Sequence, residues 1–410
     1  MCKTIAIIAT CDTKGQEAAY LKQKLESYEG IQGLVVDTGI LGKPLGVVPG
    51  VSREEVAQAA GMTIPAIIAL GSRGLAVEKM SIGVHAVLTQ LHKEGKIDGL
   101  LAIGGGEGSV IARSAMDALP LGVPKLTISS IASGDHKFKD IIGYNDAVVM
   151  HSVIDILGLN SISRQIFDVA VGGVVGMVRV PKQPETLQVP RIGITMLGTT
   201  TKPILNVIKP GLEERGYEVF TFHANGVGGA CMEDLAREGY FTGILDFSTN
   251  ELVANLFGGL HVARPERLKI LMELGLPVVV APGAISLIVL SKEDALDPKY
   301  DGRQKYYHNP RITLARTSRD EMAQLGRHMA SILNLAVGPV RFLYPTEGFA
   351  SQDKQSYSLY DPEGNRIFIE EMRKLLRKDI PIIEIKGHIN DDHFAHAALM
   401  HLMEIVDTSR

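Results

Sequence analysis

The sequence predicts an α/β protein made of two Rossmann-like, doubly wound domains with mainly parallel sheets. Apolar, β-branched runs alternate with helix-period patterns along the whole chain, as strands covered by helices on both faces require. The stretch Pro181-Lys-Gln-Pro-Glu-Thr-Leu-Gln-Val-Pro190 puts three prolines in ten residues and reads as a linker. The 410 residues are also too many for one compact core, at roughly 100–200 residues per domain. The expected domains are residues 1–180 and 191–410.

In the first domain, strands are expected at Thr4–Thr10, Gly33–Asp37, Ala66–Leu70, Gly99–Ile103 and Lys125–Ser129, each too continuously apolar to be covered on one face only. Ser52 and Glu55 make a capping box that starts a helix after the second strand. Leu75–His92 and Ser109–Leu119 supply two more crossover helices. A long pattern from Asp146 to Val171 then carries the chain away from the sheet. After the linker, strands are expected at Ile192–Leu197, Glu218–Phe222, Gly243–Phe247, Pro277–Ala281, Ile312–Ala315, Val340–Tyr344 and Pro381–Ile385, with a distorted insertion around Asp294–Pro310.

Composition bounds the function. Hydrophobic residues are 45% and charged residues 21%, which excludes wholesale disorder. Lys plus Arg is 42 against 46 Asp plus Glu, a net charge of −4, so no basic excess offers itself to nucleic acid or anionic lipid. No nucleic-acid or membrane partner is expected. Three cysteines cannot build a disulfide framework and suit a reducing cytoplasm, the expected location. The apolar start is closed by Asp12 and Lys14, too soon for a secretory signal. The uncharged stretch Leu274–Ser291 is broken by Pro277, Pro282 and Gly283.

Glycine, 43 of 410 residues, concentrates where strands end, the face on which open α/β sheets bind ligands. The densest cluster is Gly104-Gly-Gly-Glu-Gly-Ser109, between a strand and a helix. Glycines there let the backbone approach an anion, and the free amides and positive dipole end of the helix favour phosphate; a tight turn without ligand is the other reading. It is neither a dinucleotide fingerprint nor a Walker A loop. Around it, Asp12 or Thr13 is expected to cap a helix, and Lys14 to be either solvated or a point charge on phosphate. Ser72 and Arg73 lie between Gly71 and Gly74, where a guanidinium fork can take phosphate or carboxylate. Ser133, Gly134 and Asp135 form a small polar turn able to hold a ribose or a hydrated metal.

In the second domain, His223-Ala-Asn-Gly-Val-Gly-Gly229 repeats the strand–glycine–helix arrangement and offers a second anion site, with Gly226, Gly228 and Gly229 at the helix start. Thr199 and Thr200, then Thr249 and Glu251, line the same expected face, and His388-Ile-Asn-Asp391 follows the last strand. His393 and His396 lie one helical turn apart without an HExxH pattern, and a capped helix explains them better than zinc. Cys11 and Cys231 lie near helix starts but lack an evident base, so core thiols are expected. Gly172, Gly173 and Gly176 suit close packing, as at a dimer interface.

Thr10-Cys-Asp-Thr-Lys14 with Glu17, Gly104–Ser109, Leu119–Lys125, Ala132–Asp135 and Ser152–Arg164 recur together with Phe222–Gly229, Ala281–Ala284, His308-Asn-Pro310 and His388–Asp391. In this order they resemble the uncharacterised family related to the N-terminal ATP-binding region of the tomato mosaic virus resistance protein of tomato, over nearly the whole chain. The resemblance implies two Rossmann-like subdomains, ATP binding and a homodimer. It places the nucleotide on Gly104, Gly105, Gly106, Gly108 and Ser109, with the Asp12–Lys14 and Ser133–Asp135 loops beside it. Glu107 departs from the small residue usual in relatives, and its carboxylate repels phosphate unless Mg²⁺ or Arg73 offsets it. Ser286 stands where relatives often have an acidic residue.

Three readings follow. The first is an ATP-binding protein with its phosphates over Gly104–Gly108 and a second anion site near His223 in an interdomain cleft. As an enzyme it would act on a small anionic metabolite, with Lys14, Arg73 and Mg²⁺ on Asp135 neutralising charge. The second is an ATP-gated interaction protein with little turnover. The third is a sugar-acid lyase or hydrolase using His223, Glu251 and His388 as acid–base groups.

Overall fold

The structure is a computed structural model and describes residues 2–133, 138–181 and 189–409. The chain divides into two compact units, Met1–Pro184 and Glu185–Arg410.

The first unit runs β1 (Lys3–Ala9), α1 (Cys11–Glu26), β2 (Ile31–Asp37), α2 (Arg53–Ala59), α3 (Ile64–Ile68), α4 (Arg73–Lys93), β3 (Gly99–Gly104), α5 (Gly106–Asp117), β4 (Lys125–Ser129), α6 (Phe138–Ile142), β5 (Val148–His151) and α7 (Ser161–Arg179). Its sheet has the order β2-β1-β3-β4-β5, every pair parallel. Alternation along β1 shows why both faces are covered. Ile5 and Ile7 pack with Leu21 and Leu25 of α1 and Phe167 and Val174 of α7, while Ala6 and Ile8 pack with Met80, Val84 and Ile111 of α4 and α5.

Two expectations for this unit are corrected. No strand forms at Ala66–Leu70; the helix α3 (Ile64–Ile68) takes its first part, because Thr63 accepts the Ala66 amide as its cap and Pro65 sits in the first turn, where its missing N–H costs nothing. The long pattern after Asp146 contains a fifth strand, β5, before its helix. By length and hydropathy α7 is the one described helix that could cross a membrane, yet Phe167, Ala170, Val171, Val174, Val175 and Val178 are core residues of this unit.

The second unit starts with β6 (Arg191–Met196) and a helical stretch made of α8 (Thr201–Pro203), a π turn (Ile204–Ile208) and α9 (Lys209–Glu213). It continues with β7 (Glu218–His223), α10 (Gly228–Arg237), β8 (Gly243–Ser248), α11 (Asn250–Phe257), α12 (Lys269–Glu273), β9 (Val278–Gly283), β10 (Leu287–Ser291), β11 (Lys305–Asn309) and β12 (Ile312–Arg316). Then come α13 (Arg319–Leu333), β13 (Val340–Pro345), α14 (Pro362–Leu375), β14 (Ile382–Ile385) and α15 (Asp392–Asp407). The main sheet, β14-β13-β9-β8-β6-β7, is wholly parallel. One face packs on α13 and α14 through Val278, Phe342, Met329 and Phe368; the other packs on α15 through Val279, Leu343, Phe394 and Leu402.

The expected strand at Ile312–Ala315 exists as β12 but belongs to a separate antiparallel sheet, β10-β12-β11. The insertion is therefore an ordered sheet, its hairpin turned at Asn309, whose side chain accepts the amides of Arg311 and Ile312.

Candidate functional site

In the first unit the strand order reverses between β1 and β3, the switch point where crevices open at the carboxyl ends of such sheets. A cavity of about 940 Å³ lies there. Of the residues expected to hold a nucleotide, Asp12, Thr13, Lys14, Ser72, Arg73, Gly105, Gly106 and Gly108 line it. Gly104 and Ser109 stand just behind the wall. A Cβ on Gly104 would come within 2.6 Å of the Gly108 Cα, so that glycine lets β3 and α5 pack closely. Ser109 is buried, with its hydroxyl on the Gly105 carbonyl at 2.7 Å and against Ser129 Oγ at 2.7 Å. Ser133 instead lies 3.1 Å from the His151 ring, and Gly134 and Asp135 lie outside the described residues.

Gly106 differs from its neighbours. A Cβ there would meet nothing within 4 Å, so no packing demand explains a glycine at that position. It begins α5, and the first amides of a helix have no partner within the helix. Those of Gly106, Glu107 and Gly108 are the first three, and all three residues line the cavity.

The charged side chains around the cavity are held in place. Asp12 does not cap α1; its Oδ2 accepts the amides of Leu41 at 2.6 Å and Gly42 at 3.3 Å and fixes the loop after β2. Lys14 leaves helical geometry inside α1 and donates Nζ to the Ile156 carbonyl at 2.6 Å. Gly158 in turn donates its amide to the buried Glu17 at 2.7 Å, so the motif around Thr10–Glu17 holds the one around Ser152–Asn160. Ser72 caps α4, and Arg73 pairs with Glu107 at 3.0 Å.

Sequence reasoning missed the apolar wall. Ile40, Leu41, Ile67, Ile68, Ala76, Val77, Met80 and Ile111 form it, with Val153 to Asp155 beside them. Thr38, in the turn after β2, also lines the cavity. Asp37 itself is buried: its Oδ1 accepts the amides of Cys11 and Gly39, and burial raises its carboxyl above the usual range. Burial, with Asp37 beside it, likewise holds the Cys11 thiol protonated. Cys231 is pushed up to about 11, chiefly by burial. Neither thiol is poised as a nucleophile.

The second glycine loop is engaged internally. Glu251 Oε1 accepts the amides of Gly226 at 2.8 Å and Gly229 at 3.3 Å, while its Oε2 takes Arg267 Nε at 2.5 Å. The chain's own carboxylate thus sits where an anion was expected. Arg267 also binds Asp246 and Glu233, and all four side chains are fully buried. A Cβ on Gly229 would come within 2.0 Å of Glu251 Oε2, which explains that glycine. On Gly228 it would strike the His223 carbonyl at 2.1 Å.

The three residues expected as acid–base groups have different settings. His223 is exposed at the end of β7, Glu251 is in the core, and His388 is 2% exposed. His388 donates Nε2–H to the Ala350 carbonyl at 3.0 Å and accepts the Asn390 amide on Nδ1 at 3.1 Å, so both nitrogens are used by backbone. Thr200 Oγ1 lies 2.6 Å from Ser248 Oγ at this sheet's own switch point, and the Thr199 carbonyl accepts from Ser351 and Asn390. Among the described residues no group of three or more His, Cys, Asp and Glu is placed to hold a metal.

Residues 3–183 match the N-terminal domain, and residues 189–406 the C-terminal domain, of the uncharacterised protein family UPF0261. A UPF0261 protein of Clostridium tetani is 36% identical over 99% of this chain and 100% of its own length. The ToMV resistance protein Tm-1(GCR237) of Solanum lycopersicum is 33% identical over 82% of this chain and 45% of that protein. A solved UDP-N-acetylglucosamine 2-epimerase is 9% identical over 100% of this chain and 97% of its own, with a TM-score of 0.26. Matched in both domains and along nearly its full length, the chain belongs to UPF0261.

Proposed function

We propose that the first unit is a nucleotide-binding module that takes ATP, with the phosphates over Gly105–Gly108 and the base against the aliphatic wall of Ile40, Ile67, Val77 and Met80. The observation that carries this reading is Gly106: a glycine that packing does not need, at the start of a helix, facing a cavity at the switch point. Lys14 and Arg73 at the same cavity supply positive charge, and Mg²⁺ accompanies the nucleotide.

Turnover is a separate matter, and one observation favours a nucleotide-gated interaction module with little of it. Among the described residues no histidine or cysteine lines the cavity, and two of its acids are already engaged, Asp12 on the Leu41 and Gly42 amides and Glu107 with Arg73. The sugar-acid lyase reading draws no support from Glu251 and His388, whose polar atoms are satisfied within the fold.

Dye-based thermal shifts with ATP, ADP, GTP and NAD, each with and without Mg²⁺, test the proposal. Ligand at about a hundred times its dissociation constant stabilises by about 2.7 kcal/mol, which moves a midpoint by several degrees. An ATP shift that disappears in Gly106→Val supports the site; no shift with any nucleotide refutes it.

A further inference from the structure

We infer that Glu107 couples anion binding at this cavity to a divalent cation, so that the phosphates bind together with a metal ion shared between their oxygens and the Glu107 carboxylate. The inference rests on the phosphate reading above and adds the form in which the ligand is held.

The argument is one of charge. Among the described residues five charged side chains line the cavity, and carboxylates outnumber cations: Asp12, Glu107 and Asp155 against Lys14 and Arg73. Both cations are already engaged, Lys14 on the Ile156 carbonyl and Arg73 on Glu107. Asp12 and Asp155 each accept backbone amides, from Leu41 and Gly42 and from Ile156, so neither is free to swing away from an incoming anion. Glu107 stands on the loop whose amides take the phosphate. A phosphate that recruits Arg73 leaves the Glu107 carboxylate unpaired beside a polyanion, and like charges at that range oppose binding.

A divalent cation removes the conflict. Mg²⁺ is commonly held by one or two carboxylates together with substrate phosphates, without a protein-only cage. Such a cage is absent among the described residues, where no group of three or more metal-ligating side chains is assembled. The ion and the anion therefore bind as a set, each raising the affinity for the other by the same factor.

Isothermal titration of the full chain with ATP and, separately, with inorganic triphosphate tests this, in Mg²⁺ and in EDTA. For the wild type, Mg²⁺ is expected to tighten binding of both probes about tenfold or more, and Mg²⁺ alone to give no binding heat. In Glu107→Gln, binding in EDTA strengthens and the advantage of Mg²⁺ shrinks by about tenfold. The side chain is half exposed, so an unchanged melting midpoint accompanies that result. Equal wild-type affinity with and without Mg²⁺, a Glu107→Gln protein that keeps the full Mg²⁺ dependence, or Mg²⁺ binding alone overturns the coupling and leaves the phosphate site standing. Binding of neither probe in either condition overturns the phosphate reading and the coupling with it.

Discussion

Lys14 donates its ammonium to the Ile156 carbonyl at 2.6 Å and so ties the first turn of α1 to the segment that follows β5. That segment includes Val153, which lines the cavity with φ at 63°, a costly conformation for a β-branched residue that the surrounding contacts must maintain. Lys14 thus holds one wall of the cavity while facing its polar end. Lys14→Met is expected to weaken ATP binding about ten- to a hundredfold, the range of a hydrogen bond to a charged group. The same variant should speed hydrogen exchange at the amides of residues 154–158. Unchanged affinity together with unchanged exchange would contradict both roles.

The second glycine loop makes a stability prediction. Gly229→Ala drives a methyl into the Arg267–Glu251 pair, and fully buried ion pairs tolerate disruption poorly. A loss of about 3–5 kcal/mol is expected, read as a fall in the urea midpoint. Arg267→Met, which leaves Glu233, Asp246 and Glu251 without their shared cation, should cost at least as much. A midpoint equal to wild type in either variant would mean that the pair is not what orders this loop.

His261 gives a pH dependence with a definite sign. It is buried, its Nδ1 donates to Asn250 Oδ1 at 2.8 Å, and burial, with His223 nearby as a smaller cause, depresses it from 6.5 to about 4. The unfolded chain therefore binds the proton more readily. The contribution to stability is complete above about pH 6.5 and is lost as the pH falls towards 4, amounting to about 3 kcal/mol. Urea unfolding of wild type and His261→Asn at pH 7.5, 6 and 5 should show the steeper acid loss in wild type. Parallel curves would contradict this.

Much of the fold was legible because its signals are local. Continuous apolar runs bounded by turns located β1 to β4 and the parallel strands of the second sheet, and Ser52 with Glu55 announced α2. The misreading at Ala66–Leu70 came from a five-residue apolar run that fits a strand or a short helix equally, and Thr63 and Pro65 were the local evidence against a strand. β10 and β11 were missed because their pairing with β12 is set by tertiary contacts. The Gly105–Gly108 loop was legible for the same local reason as the strands. The aliphatic wall was not, being assembled from residues 40–41, 67–80 and 111, far apart in the chain. Nothing in the sequence around Glu251 showed that Arg267, sixteen residues on, would meet it in the core and turn an expected acid–base group into an internal ligand for Gly226 and Gly229.

Hydrogen–deuterium exchange with and without MgATP tests the central claim most directly, because it locates the ligand residue by residue. Protection is expected in peptides covering residues 10–15 and 104–109, with none in residues 223–229, where Glu251 already holds the amides of Gly226 and Gly229. Protection confined to residues 223–229, or no change in residues 104–109 at saturating nucleotide, would contradict it.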